Sequence, residues 1–264
     1  MQKVLTAEEM REVDRQTTEK YGIPSILLME NAAHAAARVI TEKLGGSVAG
    51  KSFLILCGKG NNGGDGAALA RILWEQDVDV FVIILGKIKD TKGDAKVNFE
   101  FLEKLYQHDA LFIDYWEIET YNEFFEVMEN FLLKHPVDII VDAIFGTGLT
   151  RKLADYYKQI AHYSSQYIVG REKILLTSLD LPSGLNADLS EPIGTNIKAD
   201  LTVTFTAPKL ANVFPPASNF NGELVIANIG SPQELIDNSP SKIFVSENED
   251  AQSWLNKTKV QTNS

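Results

Sequence analysis

The stretch 58–66 (GKGNNGGDG) contains five glycines within nine residues, so some feature of the fold must require bare backbone there. It follows the apolar run 52–57 (SFLILC) and precedes the helix-like run 67–75 (AALARILWE). A strand, a glycine-rich turn and a helix point backbone N–H groups at an anion. The stretch therefore predicts a phosphate-binding loop, in which Asn62 and Asp65 add oxygen atoms for a hydroxyl, an amide or a cation.

Two further polar loops follow predicted strands. Asp142 lies near the end of the run 137–144 (VDIIVDAI), and Asp180 and Ser183 lie in DLPSG, which follows KILLTSL. Taken alone, each aspartate could be a turn or helix-cap residue. Because the carboxyl ends of parallel strands meet at one edge of a sheet, adjacent strands would bring all three loops together. Together the loops would offer polar side chains and many free backbone N–H groups at one edge of the sheet.

The same glycine stretch matches the dinucleotide-binding pattern G-x-G-x-x-G through Gly58, Gly60 and Gly63. That interpretation needs an acidic residue near the end of the next strand, to bind the ribose hydroxyls. Here the acidic residues Asp77 and Asp79 lie at the start of that strand instead. An ordinary NAD-dependent dehydrogenase is therefore disfavoured. The four histidines lack metal-ligand spacing, and no Walker A or G-x-S-x-G motif is present.

Apolar runs alternate with helical patterns along most of the chain, which predicts an α/β fold with a mainly parallel sheet and helices on both faces. An N-terminal helical extension precedes the first strand of the sheet, and its two helices are expected to pack on the sheet or to form a subunit contact. The predicted strands are 52–57, 78–85, 110–115, 137–144, 173–179, 201–206 and 223–228. The predicted helices are 6–20, 24–44, 67–75, 93–107, 121–134 and 153–165.

Composition restricts the partners and the compartment. The formal net charge of -11 argues against binding to nucleic acid or to an anionic membrane surface. A single cysteine fits a reducing compartment, and no run is apolar enough to span a membrane, so a cytoplasmic protein is expected. The polar segment 231–264 is expected to be a strand or an arm on the surface, or a linker, with only 243–245 and 254–255 able to dock.

The ordered set of motifs resembles the NAD(P)H-hydrate epimerase family, the YjeF N-terminal domain, over about residues 1–230. The segments that carry the resemblance are 22–33 (GIPSILLMENAA), 58–66 (GKGNNGGDG), 141–149 (VDAIFGTGL), 180–188 (DLPSGLNAD), 204–209 (TFTAPK) and 221–230 (NGELVIANIG).

This resemblance implies a Rossmann-like three-layer α/β/α sandwich that forms a homodimer. It also implies epimerisation at C6 of hydrated NADH and NADPH, as cofactor repair, with a bound potassium ion (K+). The ligands of the ion would be Asn62, Asp142 and Ser183. The substrate-binding residues would be Asn61, Asn62, Gly63, Gly64, Asp65, Gly146, Thr147, Gly148, Leu149, Thr150, Arg151, Lys152 and Asp180.

The chemistry of such a reaction needs a carboxyl group that gives a proton to the departing oxygen and takes one from incoming water. Asp180 is the candidate for this general acid/base, Lys209 would assist it, and Asp65 is a second candidate. The resemblance implies an ADP- or ATP-dependent dehydratase as the functional partner, either separate or fused beyond the segment 254–264, which resembles the junction in bifunctional relatives. Two alternatives remain open at this point: a non-catalytic binding or assembly scaffold of the same family, and an oxidoreductase using intact NAD.

Overall fold

Seven parallel strands form the central sheet of the protein. The computed structural model describes residues 1–108, 112–132, 135–169 and 174–246. Its strands are β1 (Gln2–Lys3), β2 (Ser52–Cys57), β3 (Asp79–Leu85), β4 (Ile113–Ile118), β5 (Ile139–Ala143), β6 (Leu175–Leu179), β7 (Leu201–Phe205), β8 (Glu223–Ala227) and β9 (Phe244–Val245). Its helices are α1 (Ala7–Glu19), α2 (Ser25–Lys43), α3 (Asn61–Trp74), α4 (Gly93–His108), α5 (Tyr121–Leu132), α6 (Asp155–Val169), α7 (Leu210–Val213) and α8 (Gln233–Asp237).

The strand order in the large sheet is β4-β3-β2-β5-β6-β7-β8, and every neighbouring pair is parallel. Strand β2 is buried along its whole length, which explains why its sequence is a continuous apolar run rather than an alternating one. The pairing register places Asp142 of β5 beside Leu56 of β2 and beside Ser178 of β6. The carboxyl ends of these three strands therefore lie level with one another.

Helices cover both faces of the sheet. Helices α2, α3 and α4 contribute to the apolar core on one face, where small alanines of α2 and α3 allow close approach. Residues of α5 and α6, among them Phe124, Met128 and Ile160, pack against the other face. The expected three-layer α/β/α architecture is confirmed, with a sheet that is parallel throughout.

The N-terminal helices are placed by local signals that the sequence contains. Thr6 and Glu9 form a capping box at the start of α1, and Gly22 has the positive φ of +69° that ends this helical segment. Pro24 precedes α2 as its N-cap rather than lying inside the first turn. Helix α2 packs on α3 and on the edge of the sheet at β7 and β8, as one of the two expectations for it stated.

Helix α3 begins at Asn61, six residues earlier than the sequence predicted. The prediction treated residues 58–66 as a loop because glycine has a low helix propensity. The structure shows that glycine is needed inside the helix for packing. A Cβ atom on Gly64 would lie 2.7 Å from the Cα of Ala95, and one on Gly66 would lie 2.7 Å from the Cβ of Ala143. Close packing outweighs propensity here.

Strand β4 also differs from its prediction, since it begins at Ile113 and ends at Ile118, three residues later than expected. At the other end of the chain, α8 packs Leu235 and Ile236 into an apolar cluster with α1. Strand β9 pairs with β1 in an antiparallel ladder, as the expectation of a surface strand stated. Residues 254–264 lie outside the described residues. Within the described ranges, no helix combines the length and the apolar composition that a bilayer crossing requires.

Candidate active site

The strand order reverses between β2 and β5, and the functional residues collect at this topological switch point. In open parallel sheets ligands bind at such a point, outside the carboxyl ends of the strands. Strands β2, β5 and β6 are neighbours, so the loops that follow them converge as the sequence argument required. They open into a cavity of about 490 Å³, which is also lined by residues of α1 and α2 and by the segment after β7.

Asp142 is the buried centre of the hydrogen-bond network beneath this cavity. Its Oδ2 accepts hydrogen bonds from the Ser178 hydroxyl and from the Ser183 backbone N–H, both at 2.8 Å. Its Oδ1 accepts one from the Ser183 hydroxyl at 2.6 Å. Burial raises the pKa of the Asp142 carboxyl, while the hydrogen bonds from Ser183 and Ser178 act in the opposite direction. No cation side chain forms an ion pair with Asp142 in the described part of the chain.

Asn62 lies in the first turn of α3 and is only 8% exposed. Both polar atoms of its side chain are buried, and neither has a hydrogen-bond partner. An orphaned buried amide costs about 1–3 kcal/mol, so such a group indicates an interaction that the protein alone does not complete. Asn62 lines the cavity together with Gly60 and Asn61.

The N-terminus of α3 offers unpaired backbone N–H groups to a ligand. Gly60 is its N-cap and offers no side-chain cap, and the first N–H that bonds within the helix is that of Gly64. The N–H groups of residues 61–63 therefore have no intrahelical acceptor. Together with the helix dipole they suit a phosphate group.

Asp180 and Lys209 form the ion pair of the cavity. Asp180 has a positive φ of +65° at the end of β6 and is 8% exposed. Its Oδ1 accepts a hydrogen bond of 2.5 Å from the Lys209 ammonium group, and its Oδ2 accepts one of 2.9 Å from the Thr147 N–H. Lys209 is 1% exposed, and its other contacts are the Thr204 hydroxyl at 2.8 Å and the Phe205 carbonyl at 3.1 Å.

Asp65 and Asp14 also line this cavity. Burial raises the pKa of Asp65 well above its usual value, and the negative charges of Asp180 and Asp14 raise it further. Burial likewise raises the pKa of Asp14 to about 6, although Lys209 acts in the opposite direction. Asp14 Oδ1 is buried without a hydrogen-bond partner. Together with Asp180 and the less buried Asp94, four carboxyl groups therefore line one cavity that contains a single buried lysine among its described residues.

The predicted substrate-binding residues separate into three groups. Asn61, Asn62, Asp65, Gly146, Thr147, Gly148 and Asp180 line the cavity. Gly63 and Gly64 are buried beside it and act through packing, since a Cβ atom on Gly63 would lie 1.7 Å from the carbonyl oxygen of Gly58. Leu149 is buried, whereas Thr150, Arg151 and Lys152 are exposed beyond the cavity wall.

The sequence argument missed the contribution of α1, which brings Met10, Arg11 and Asp14 to the cavity. The sequence of α1 did contain a signal for Asp14. Met10, Val13 and Thr17 form the buried face of α1, and Asp14 follows Met10 by four residues, so a carboxylate borders an apolar stripe. An ionisable group at that position is expected to have a function or a partner.

The fold and the site together define a Rossmann-like α/β protein whose ligand cavity lies at the switch point and combines a helix N-terminus with buried carboxyl groups. The family model described as "YjeF-related protein N-terminus" matches residues 25–211, and the chain belongs to this family. The family expected from the sequence motifs is thereby confirmed.

Comparison with curated proteins gives two kinds of relative. The chain is 34% identical to an NAD(P)H-hydrate epimerase of Rhodopirellula baltica, over 88% of this chain and 86% of the relative. It is 37% identical to a bifunctional NAD(P)H-hydrate repair enzyme Nnr of Moorella thermoacetica, over 88% of this chain but only 41% of the relative. The chain thus spans about two fifths of the length of the bifunctional relative. The crystal structure of the yeast protein ynu0 (YNL200c) shares the fold, with a TM-score of 0.67 at 22% identity over 94% of this chain and 98% of the yeast chain.

Proposed function

We propose that this protein is an NAD(P)H-hydrate epimerase, which interconverts the R and S forms of hydrated NADH and NADPH at C6. The observation that carries the proposal is the position of Asp180, a buried carboxyl group beside an anion-binding helix N-terminus in one cavity. The curated relatives of Rhodopirellula baltica and Limosilactobacillus reuteri, of which this chain covers 86% and 95%, are named NAD(P)H-hydrate epimerase.

The reaction requires proton transfer and no change of oxidation state. C6 of the hydrate carries a hydroxyl group next to the ring nitrogen, so the C–O bond breaks when the oxygen is protonated and the nitrogen lone pair assists. Water then returns to the other face of C6 and loses a proton. Proton transfer by a positioned side chain accelerates such steps by about 10²–10⁴-fold.

Asp180 is suited to this proton transfer because hydrogen bonds hold both of its carboxyl oxygens in place. The Thr147 N–H and the Lys209 ammonium group each engage one of its oxygens. Lys209 in turn is fixed by Thr204 and Phe205, so its charge cannot move away from Asp180 without losing those contacts. The N–H groups at the start of α3 would receive the diphosphate of the substrate.

The potassium site implied by the family resemblance fits the donors that are present. Among the described residues, Asn62 offers a buried carbonyl oxygen without a partner and Asp142 a buried carboxylate without a cation. Ser183 offers a hydroxyl oxygen that contacts Asp142 and the backbone of Phe145 after β5. Oxygen atoms of mixed type are the ligands that hard cations prefer. Within the described ranges, no group of three His, Cys, Asp or Glu side chains could hold a metal ion. A potassium ion would supply the charge that balances Asp142 and would tie the three loops together.

A comparison of salts tests this site without reference to activity. Potassium chloride should raise the melting temperature above that in lithium chloride of equal ionic strength. A ligand at about 100 times its Kd stabilises the native state by about 2.7 kcal/mol. In Asn62→Leu the difference between the two salts should vanish, whereas in the exposed control Asn130→Leu it should persist. Equal melting temperatures of the wild type in the two salts would contradict the assignment.

We also propose a functional partner and an oligomeric state for the protein. The product of the R-to-S reaction would pass to an ATP- or ADP-dependent NAD(P)H-hydrate dehydratase, either separate or fused. The bifunctional repair enzymes that this chain resembles over part of their length support the fused arrangement. The family resemblance favours a homodimer, and the single cysteine favours a reducing compartment such as the cytoplasm.

A coupled assay tests the function. R-form hydrated NADPH is supplied with ATP and an S-specific dehydratase, and the appearance of NADPH is followed by absorbance. The wild-type protein should accelerate NADPH formation above spontaneous epimerisation, and Asp180→Asn should lower kcat by about 10²–10⁴-fold, as loss of a general acid/base does. The matched control Asp188→Asn removes a carboxylate that caps Ala7 outside the cavity and should keep its rate.

Two results would count against the proposal. If the wild type gives no acceleration, a binding or scaffold role replaces the enzyme. If Asp180→Asn retains the wild-type kcat, the acid/base assignment is wrong even though the activity is right.

A further inference from the structure

Inversion at C6 poses a problem that one fixed carboxyl group solves only in part. The oxygen must leave from one face of the ring and return on the opposite face, so proton transfer is required on both faces. A side chain locked in one position reaches one face. We infer that Asp14 is a second catalytic carboxyl group, which works on the departing hydroxyl while Asp180 works on the incoming water. This inference rests on the proposed epimerase function.

Asp14 has the position and the unpaired oxygen that such a role needs. It lies on α1, lines the cavity together with Asp65, Asp180 and Lys209, and presents an Oδ1 that is buried without a hydrogen-bond partner. A structural carboxylate in such a place would be expected to cap a helix or to accept backbone N–H groups, as Asp142 does. Asp14 Oδ1 accepts none, so it is available to a ligand.

Charge balance in the cavity separates the roles of the two residues. The Lys209 ammonium group donates directly to Asp180 Oδ1 in an ion pair, and this contact suits Asp180 to the role of proton acceptor. Within the described ranges, Asp14 has no cation at ion-pair distance, although the exposed Arg11 of its own helix also lines the cavity. A buried carboxylate without a counter-ion is costly, and a proton removes that cost.

The other ionisable groups that face Asp14 reinforce this difference. Asp65 on α3, Asp94 on α4 and Asp180 after β6 are acidic, and Lys209 is the one buried cation among the described residues of the wall. Burial and the charge of Asp180 raise the pKa of Asp14, and Lys209 only partly offsets them. Asp14 therefore keeps its proton to a higher pH than an exposed aspartate does, which suits it to the role of proton donor.

The step balances in atoms and charge. The Asp14 carboxyl proton moves to the C6 hydroxyl, the C6–O bond breaks, water leaves, and the N1 lone pair forms the C6=N1 iminium bond. Water adds to the opposite face of C6, the iminium electrons return to N1, and the extra proton passes to Asp180. Asp14 is then a carboxylate and Asp180 is protonated, and proton exchange with solvent resets the pair. No oxidant or reductant is consumed.

The reverse reaction starts from the same number of protons on the pair, with Asp180 as donor and Asp14 as acceptor. The active form in both directions therefore carries one proton shared between two carboxyl groups. The pH dependence of kcat/KM should be bell-shaped and should have the same two limbs in the R-to-S and S-to-R directions.

The experiment compares three variants with the wild type. Asp14→Asn keeps the shape of the side chain but removes the proton transfer, and should lower kcat by about 10²–10⁴-fold while changing KM little. Its residual rate should lose the bell-shaped pH profile. Glu12→Gln, on the exposed side of the same helix, should keep both the rate and the profile. Asp65→Asn tests the other protonated carboxyl group of the cavity. The pH profile of its kcat/KM should keep both limbs, even if its KM rises.

The outcomes separate this inference from the proposed function. A wild type that does not accelerate epimerisation overturns the function itself. An active wild type together with an Asp14→Asn variant of unchanged kcat and unchanged pH profile overturns the role of Asp14 only. Loss of the limbs in Asp65→Asn but not in Asp14→Asn would assign the second carboxyl group to Asp65 and would likewise overturn the inference. Thermal unfolding of each variant verifies that it is folded.

Discussion

At the scale of single residues, the cavity contains buried polar groups of two kinds. Asp142 is satisfied by the hydroxyls and N–H groups around it, and Asp180 by Lys209 and Thr147. Asn62 and Asp14 instead contain buried atoms without any partner. Unsatisfied buried groups reduce stability, and natural proteins keep them chiefly where a ligand or a reaction uses them. Asn62 and Asp14 therefore mark positions where a ligand is expected to bind.

The raised pKa of Asp14 makes stability depend on pH. The native carboxyl group keeps its proton up to a pKa of about 6, whereas the unfolded chain releases it near pH 4, so the native state binds more protons between these values. The free energy of unfolding therefore falls as the pH rises through this window. Two units of pKa correspond to about 2–3 kcal/mol. Asp14→Asn has no such proton to lose.

We predict that the stability of Asp14→Asn relative to the wild type increases by about 2 kcal/mol between pH 4.5 and pH 7. Urea unfolding at several pH values measures the difference. Glu12→Gln is the control, because Arg15 lowers the pKa of Glu12 to about 2 and its contribution is constant in this window. A difference between Asp14→Asn and the wild type that does not change with pH would contradict the buried, protonated state.

At the scale of secondary structure, α3 connects packing to binding. Its glycines bring the helix so close to the sheet and to the loop after β2 that side chains would overlap with neighbouring atoms. This approach places the helix N-terminus, and with it Asn62, at the carboxyl edge of the strands. The glycines are therefore needed for position at least as much as for flexibility.

Gly66→Ala tests this packing role. A Cβ atom there would lie 2.7 Å from the Cβ of Ala143 and 2.8 Å from the Sγ of Cys57. Overpacking costs typically about 1–3 kcal/mol, which should exceed the gain of about 1 kcal/mol in helix propensity. We expect a net loss of about 1–2 kcal/mol in the free energy of unfolding, measured with urea.

Gly148→Ala is the matched control for stability. Gly148 has no neighbouring atom within 4 Å of an added Cβ and no positive φ, so the change should stay within about 0.5 kcal/mol of the wild type. If Gly66→Ala is more stable than the wild type, the helix has room to shift, and the packing explanation for the glycines fails.

At the scale of the whole molecule, the C-terminal segment packs against the N-terminal segment that carries Asp14 to the cavity. Leu235 and Ile236 of α8 pack with Leu5, Met10 and Val13, and β9 pairs with β1. Helix α1 is held by these contacts on one side and carries Asp14 to the cavity on the other. The two ends of the described chain therefore position a residue of the proposed active site together.

Leu235→Ala should weaken this support. Truncation of a buried leucine costs about 2–5 kcal/mol, and the loss should appear as faster amide hydrogen exchange in α1 than in the central strands. Glu234→Gln is the control, because its ion pair with Lys20 is exposed and contributes about 1 kcal/mol or less. Unchanged exchange in α1 would show that α8 does not stabilise that helix.

Local patterns predicted much of this protein. The capping box at Thr6 and Glu9, the helix end at Gly22 and the continuous apolar strands depend on neighbours in sequence, so the sequence alone indicates them. The placement of polar residues directly after strands, at Asp142 and Asp180, was equally readable because parallel strands have one functional edge.

The tertiary structure was needed for every feature that depends on which helices and strands are neighbours. The strand order that places β2, β5 and β6 side by side is a packing result, as is the early start of α3, where contacts with Ala143 and Ala95 outweigh the low helix propensity of glycine. The sequence by itself determined the class of fold and the three polar loops. Only the folded structure decided that Lys209 pairs with Asp180 and that Asp14 reaches the same cavity, because burial and charge balance depend on residues far apart in the chain.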